Sequence, residues 1–335
     1  MKIIRHIAML LTVTLILTGC SKDDGDSQTA VGEEGRSEIC VKTNLMRMMT
    51  KTGPTTVDSN SELQGYDLKI DAYYHDTETK YLDGTKLHYD SAEPAALKWK
   101  FWDGSAQLHY YWPFEGSKTA GGATASTLDF VGFCPYTKPT YIGDPTYNHS
   151  TGVSFSCNLG SYVTNAAQAG MQEFLIAVLN EQTLATQTDA GGALPLVFKH
   201  PFALIKFVIA EGSGTHVKVN NIRIDDLYTT ATCTYDGTTM TWDDHDDEAD
   251  MTITPEDPLQ YGTSSTETDY FMVIPKNYGT MTLTVNGTWD DWSNVTKDLS
   301  TDVNIDWAPG YIYTYNLTVT PYALKVDISK FTEQW

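Results

Sequence analysis

The chain has 335 residues, with 22 Lys+Arg against 43 Asp+Glu, a formal charge of −21 that reaches −23 once Lys2 and Arg5 are set aside. A surface this acidic repels phosphate backbones and anionic headgroups, which excludes nucleic acid as a partner and electrostatic adhesion to lipid. The five cysteines contain no C-x-x-C pair, so no zinc site is expected, and they are too sparse for a disulfide scaffold.

The first element is a leader. Lys2, Arg5 and His6 precede an apolar run from Ile7 to Leu17. That run suits the hydrophobic region of a signal peptide and is well short of the roughly 20 residues that span a bilayer. Leu17-Thr18-Gly19-Cys20 matches the bacterial lipobox, in which small residues fit the signal-peptidase groove and the cysteine thiol takes the lipid. Residues 1–19 therefore read as a lipoprotein signal peptide, with Cys20 as the lipidation site. Residues 20–36 read as a lipidated, acidic, disordered tether with almost nothing to bury. The 315 residues after Cys20 suffice for two domains with full cores.

From Ser37 onward short runs rich in Tyr, Thr, Val, Ile and Trp alternate with Gly, Asp, Asn and Pro, the signature of an all-β chain. LKIDAYYH, TKLHYDS, AALKWKFW, AQLHYYWPF and LDFVGFCPY are successive examples; TNAAQAGMQEFLIAV has room for a short helix before a strand. A boundary falls near 190 in TDAGGALP, giving an N-terminal β-sandwich over 37–190 and a C-terminal one over 191–335. In LPLVFKHPFALIKFVIA both faces are apolar, which predicts a central strand. Pro201 within it cannot donate to a ladder and marks a bulge or a strand start. Asn220-Asn221 shifts the apolar parity from Val217 and Val219 to Ile222 and Ile224, as a β-bulge does. In YIYTYNLTV, Tyr311, Tyr313, Tyr315, Leu317 and Val319 face inward and Thr314, Asn316 and Thr318 outward.

Chemistry is harder to find. The nucleophile elbow, H-E-x-x-H, the Walker loop and G-x-G-x-x-G are all missing, so no catalytic residues, metal ligands or cofactor are assigned. His200 reads as a structural histidine beside a bulge, because no partner stands at metal spacing. Asp243-Asp244-His245-Asp246-Asp247-Glu248 lacks the EF-hand spacing and its glycine, and reads as a solvated hairpin loop after Trp242. Cys40, Cys134, Cys157 and Cys233 are expected as buried thiols, with room for one disulfide whose pairing is open. Tyr110, Trp112, Trp242 and Trp307 are placed in or at the ends of strands, as core aromatics. Trp102, Trp289 and Trp292 sit in turn-like sequence and are the candidate exposed aromatics for stacking on sugar rings.

Several phrases in order resemble the fimbrillin family, the pilin and pilus-tip lipoproteins of Bacteroides-type bacteria. They are YYWPF (Tyr110 to Phe114) with LDFVGFCPY (Leu128 to Tyr136), then FKHPFALIKF (Phe198 to Phe207), FMVIPK (Phe271 to Lys276) and WAPGYIYTYNL (Trp307 to Leu317). Pro201 and the order Ile205-Lys206 depart from the family phrase. The acidic SKDDGD after Cys20 resembles the signal that carries such lipoproteins to the outer face of the outer membrane.

The resemblance implies two tandem transthyretin-like β-sandwiches in a structural or adhesive subunit of a cell-surface pilus, as shaft, tip or anchor. Implied partners are other pilus subunits, the outer-membrane lipid anchor, and ligands on host or bacterial surfaces. It also implies assembly by strand exchange, in which a trypsin-like protease removes the first strand and the opened groove accepts another subunit's strand. The residues fit: SEICVKTNLMR places Ile39, Val41 and Leu45 on one face, with Arg47 and Lys51 just after as processing sites. A first strand that stays in place, followed by an ordinary basic loop, fits them equally. The alternative from another class is a surface glycan-binding lipoprotein using Trp102, Trp289 and Trp292.

Overall fold

The computed structural model describes residues 37–45, 59–93, 98–113, 127–165, 171–212, 216–255, 265–289 and 295–331. The predicted positions Cys20, Arg47, Lys51 and Trp292 lie outside the described residues. In chain order the first elements are β1 (Val41–Leu45), α1 (Asn60–Leu63), β2 (Leu68–Tyr74), β3 (Lys80–Tyr89), β4 (Trp99–Trp102), β5 (Gln107–Leu108) and β6 (Leu128–Cys134). There follow β7 (Thr146–Asn148), β8 (Gly152–Asn158), α2 (Gly160–Asn165), β9 (Leu175–Gln182), α3 (Leu184–Asp189), β10 (Leu194–Phe198) and β11 (Ala203–Glu211). The last are β12 (Val217–Tyr235), β13 (Met240–Ile253), β14 (Ser265–Glu267), β15 (Phe271–Val273), β16 (Asn277–Trp289), β17 (Val295–Asp306), β18 (Ile312–Val319) and β19 (Leu324–Phe331). The chain is all-β, as its composition predicts.

These strands enclose two hydrophobic cores. The first lies between the antiparallel sheet β5-β4-β3-β2-β6-β9 and the parallel pair β1-β10. The second lies between the sheet β17-β16-β12-β8-β7, with β13 on the free side of β12, and the group β14-β11-β18-β19, with β15 also on β11. Strands β6 and β9 serve both. Along β6, Leu128, Phe130 and Cys134 enter the first core while Val131 and Phe133 enter the second. Along β9, Leu175 and Ala177 face the first and Ile176 and Val178 the second. Side chains on a strand alternate faces, so a strand caught between two cores has to be apolar at every position, and LDFVGFC nearly is.

The exception in β6 is Asp129, fully buried and fully bonded. It accepts from the Glu181 N–H (2.7 Å) and the Tyr147 hydroxyl (2.6 Å), and His75 Nδ1 lies 2.9 Å away. The group ties the β2–β3 turn to β7, across from the first sheet to the second. The Asp129 hydrogen bond, with the charges of Asp129, Glu181 and Asp76, holds His75 above its ordinary imidazole value, against partial burial. A raised value stabilises the fold below the unfolded-chain value of about 6.5 and loses that contribution as pH rises through the folded value. We expect the His75 ring resonance to titrate with a midpoint above that of a free imidazole. Asp129→Asn should bring it back; a wild-type midpoint at or below the free value contradicts the contact.

Several expectations need correction. LPLVFKHPFALIKFVIA is two strands rather than one: β10 ends at Phe198 and β11 begins at Ala203. Pro201 stands in the link, the strand-start reading, and Trp242 Nε1 donates to its carbonyl at 2.8 Å. Consequently a division at 190 does not follow the sheets. β10, beyond it, belongs to the first core, while β7 and β8, before it, pair into the second sheet, β8 directly on β12. The acidic run is not a loop, because β12 extends for 19 residues and β13 follows it back, carrying Asp243 to Glu248 in the ladder. β13 pairs only with β12 among the described residues, and carboxylates on such an edge oppose further pairing. The bulge is where parity placed it, with the β12–β16 register shifting between Val219 and Asn221. Thr314 is buried rather than wet.

Candidate assembly groove

The first strand completes the first core. Ile39 and Val41 are each 1 % exposed and Leu45 7 %. The alternation predicted from SEICVKTNL is the one that fills the groove. Val41 to Leu45 run parallel to Leu194 to Phe198, with Leu45 opposite Phe198. Phe198 in turn reaches the opposite sheet at Gly132, where an added Cβ would come 2.8 Å from the Phe198 ring.

Upstream, the same segment changes partners. The Ile39 N–H donates to the Tyr110 carbonyl (2.7 Å) and the Trp112 N–H to the Ser37 carbonyl (2.9 Å), around an antiparallel bridge between Glu38 and Tyr111. Tyr110 to Trp112 of the YYWPF phrase thus form one wall of the groove. On the other wall Gln187, in α3, is buried at 5 % exposure. Its Oε1 accepts from the Cys40 N–H (3.0 Å) and from Trp112 Nε1 (3.2 Å), and its Nε2 donates to the Glu38 carbonyl (2.9 Å). A capping box between Thr183 and Thr186 fixes where α3 begins.

Side-chain clips hold the margins. Lys42 Nζ donates to the Ala190 carbonyl (2.6 Å), and Asn60 Oδ1 accepts from the Leu45 N–H (2.6 Å). His109 Nδ1 lies 2.7 Å from the Glu38 carboxylate, whose burial pushes its value up against the pull of that histidine. The site is built to bind an extended backbone and apolar side chains at alternate positions.

The two candidate aromatics within the described residues, Trp102 and Trp289, do not form one surface. Trp289 is buried at 1 % exposure, contrary to expectation. It ends β16, and Gly287, two residues earlier on the same face, leaves the room its ring fills, since a Cβ there would lie 2.9 Å from the indole. Lys297 Nζ covers the ring at 4.7 Å. Trp102 is half-buried in β4, tilted against His88 at 5.7 Å. His200 is buried with its Nδ1 against the Glu173 carboxylate, a partner 27 positions away that local spacing could not reveal. Among the described residues no group of three or more His, Cys, Asp or Glu is arranged to hold a metal ion. Cys134, Cys157 and Cys233 are buried free thiols.

The apolar alternation of the first strand is legible in the sequence, whereas the residues that surround it are not. Gln187, Asn60 and the indole of Trp112 act through contacts 15 to 149 positions apart, and only the T-x-x-T capping pattern before Gln187 left a local trace.

A model of the fimbrillin-like family matches residues 55–335. Among solved structures, a fimbrial protein of Bacteroides vulgatus is similar at 13 % identity and TM-score 0.54, over 88 % of this chain and 99 % of that one. A Bacteroides uniformis structure assigned to cell adhesion is similar at 14 % identity and TM-score 0.50, over 91 % of this chain and 99 % of that one. No curated protein matches. At such identities the likeness to those structures establishes the fold.

Proposed function

The chain belongs to the fimbrillin-like family, and from that premise we propose that it is a structural or adhesive subunit of a cell-surface pilus, held in the outer membrane through a lipid on Cys20. Its role is to be added to, or docked on, neighbouring subunits by strand exchange, and it carries out no catalysis. The observation that carries this reading is the first strand. A short segment at the start of the described chain fills a groove whose walls bond its backbone on both sides, and Arg47 and Lys51 follow it in sequence. Removing the strand leaves a row of backbone donors and acceptors and an open apolar trough, the features that a further strand satisfies.

The acidic SKDDGD segment supports display on the outer face, and the net charge of −21 suits a protein that has to stay soluble outside the cell. The aromatic residues give the glycan-binding alternative little support, because Trp289 is interior.

Shearing intact cells that express the chain tests the proposal. The wild type should release a ladder of multimers and incorporate a palmitate analogue. Cys20→Ser should lose the lipid label, with the precursor accumulating. Label that persists in Cys20→Ser removes the lipidation reading; monomer alone in the sheared wild-type fraction removes the pilus reading.

A further inference from the structure

We propose that the side-chain amide of Gln187 acts as a surrogate strand residue, which clamps the N-terminal half of whatever segment fills the groove and requires a free backbone N–H at the position of Cys40. The geometry is that of a β-ladder. In parallel pairing one residue donates to the carbonyl preceding its partner and accepts from the N–H following it. Gln187 does both around Ile39: Nε2 donates to the Glu38 carbonyl at 2.9 Å and Oε1 accepts from the Cys40 N–H at 3.0 Å. It occupies the place that β10 would fill only by continuing two residues before Leu194, to position 192. The main chain has already turned away there, through Gly191 and Gly192 at φ +81° and +93°. The ladder proper then resumes, with the Leu194 N–H donating to the Cys40 carbonyl at 2.8 Å.

The amide is held for this task. Trp112 Nε1 donates to the second lone pair of Oε1 at 3.2 Å, which fixes the amide plane and decides which end is oxygen. With Tyr110 and Trp112 bonded to the opposite edge, residues 37–39 are paired on both sides. Apolar pockets for Ile39, Val41 and Leu45 select side chains. Gln187 selects backbone, since a segment with proline at the Cys40 position offers no N–H and leaves a buried acceptor without that bond. The partner that fits is therefore an extended polypeptide segment running parallel to β10, apolar at the positions of Ile39, Val41 and Leu45 and carrying an N–H between the first two. The clamp on the chain's own strand stands on geometry alone; its extension to an incoming strand rests on the proposed assembly role.

Two arms of one experiment separate these. In the uncut chain, amide hydrogen exchange is followed at Cys40, with the β2–β6 ladder as the control for an intact fold. Gln187→Leu should speed Cys40 exchange by about tenfold or more while the control amides stay protected. Gln187→Met, which keeps length and apolar packing, gives the same readout if the leucine variant unfolds. Unchanged Cys40 protection in a folded variant overturns the clamp. In the second arm the chain is cut, its strand removed, and synthetic peptides of residues 37–45 are added. The native peptide should bind at least about tenfold more tightly than the Cys40→Pro peptide. Equal binding of the two overturns the backbone selection. If neither peptide binds although the first arm succeeds, the clamp stands and the assembly reading falls.

Discussion

Trp289→Ala is expected to destabilise the second core by about 3–5 kcal/mol, the cost of deleting a large buried aromatic. The side chain is among the largest fully buried ones, at the end of β16. It packs over Gly287 and beneath Lys297, beside Val217 of β12. The surrounding ladders leave little freedom to collapse into the space, because β16 is paired on both sides, with β12 and β17. Chemical denaturation followed by circular dichroism should show the midpoint move without a change in native spectrum. Gly287→Val should destabilise through the same contact from the opposite direction, since the space for a Cβ is already taken by the indole. A glycan-contact tryptophan would behave otherwise: binding lost, stability kept. Trp289→Ala at wild-type stability would contradict the packing described and reopen the aromatic reading.

The pattern of what could be read from sequence has a physical cause. Positions whose environment is set by strand alternation were legible. Tyr313, Tyr315, Leu317 and Val319 face inward along β18, and the parity switch after Val219 located a bulge. Ile39, Val41 and Leu45 belong to the same class, so the strand that fills the groove was visible before the groove. What alternation cannot say is which sheet a strand joins. The apolar run from Leu194 to Ala210 looked like one central strand, yet it serves two cores, with Pro201 in the link between them. The acidic run looked like a loop because its charge suggests solvent. An outer strand is also solvent-exposed on one edge, and β13 is one. Trp289 looked like a turn residue because Asp290 and Asp291 follow it, whereas Gly287 two positions before was the better signal of a ring packed on that face. Gln187 had no signal at all beyond its capping box, because its partners are distant in sequence and two of the three are backbone groups.

Limited trypsin treatment of the folded chain, followed by removal of the severed strand and sizing over a concentration series, bears most directly on the assembly role. Cuts at Lys22 and Arg36 should only shorten the tether. Residues 37–45 are held by a ladder, a clamp and three buried side chains, so the cut that severs this strand from the rest of the fold should fall after them, at Arg47 or Lys51. The cut strand should stay bound at first, since withdrawing Ile39, Val41 and Leu45 into water costs about 1.5–3 kcal/mol for each side chain. Once it is gone, the exposed trough and unpaired backbone should drive association, giving oligomers whose size grows with concentration. Arg47→Ala/Lys51→Ala should block both the cut that frees the strand and association. Stripped protein that remains monomeric at high concentration would contradict the assembly role, and leave a chain whose first strand is only part of its fold.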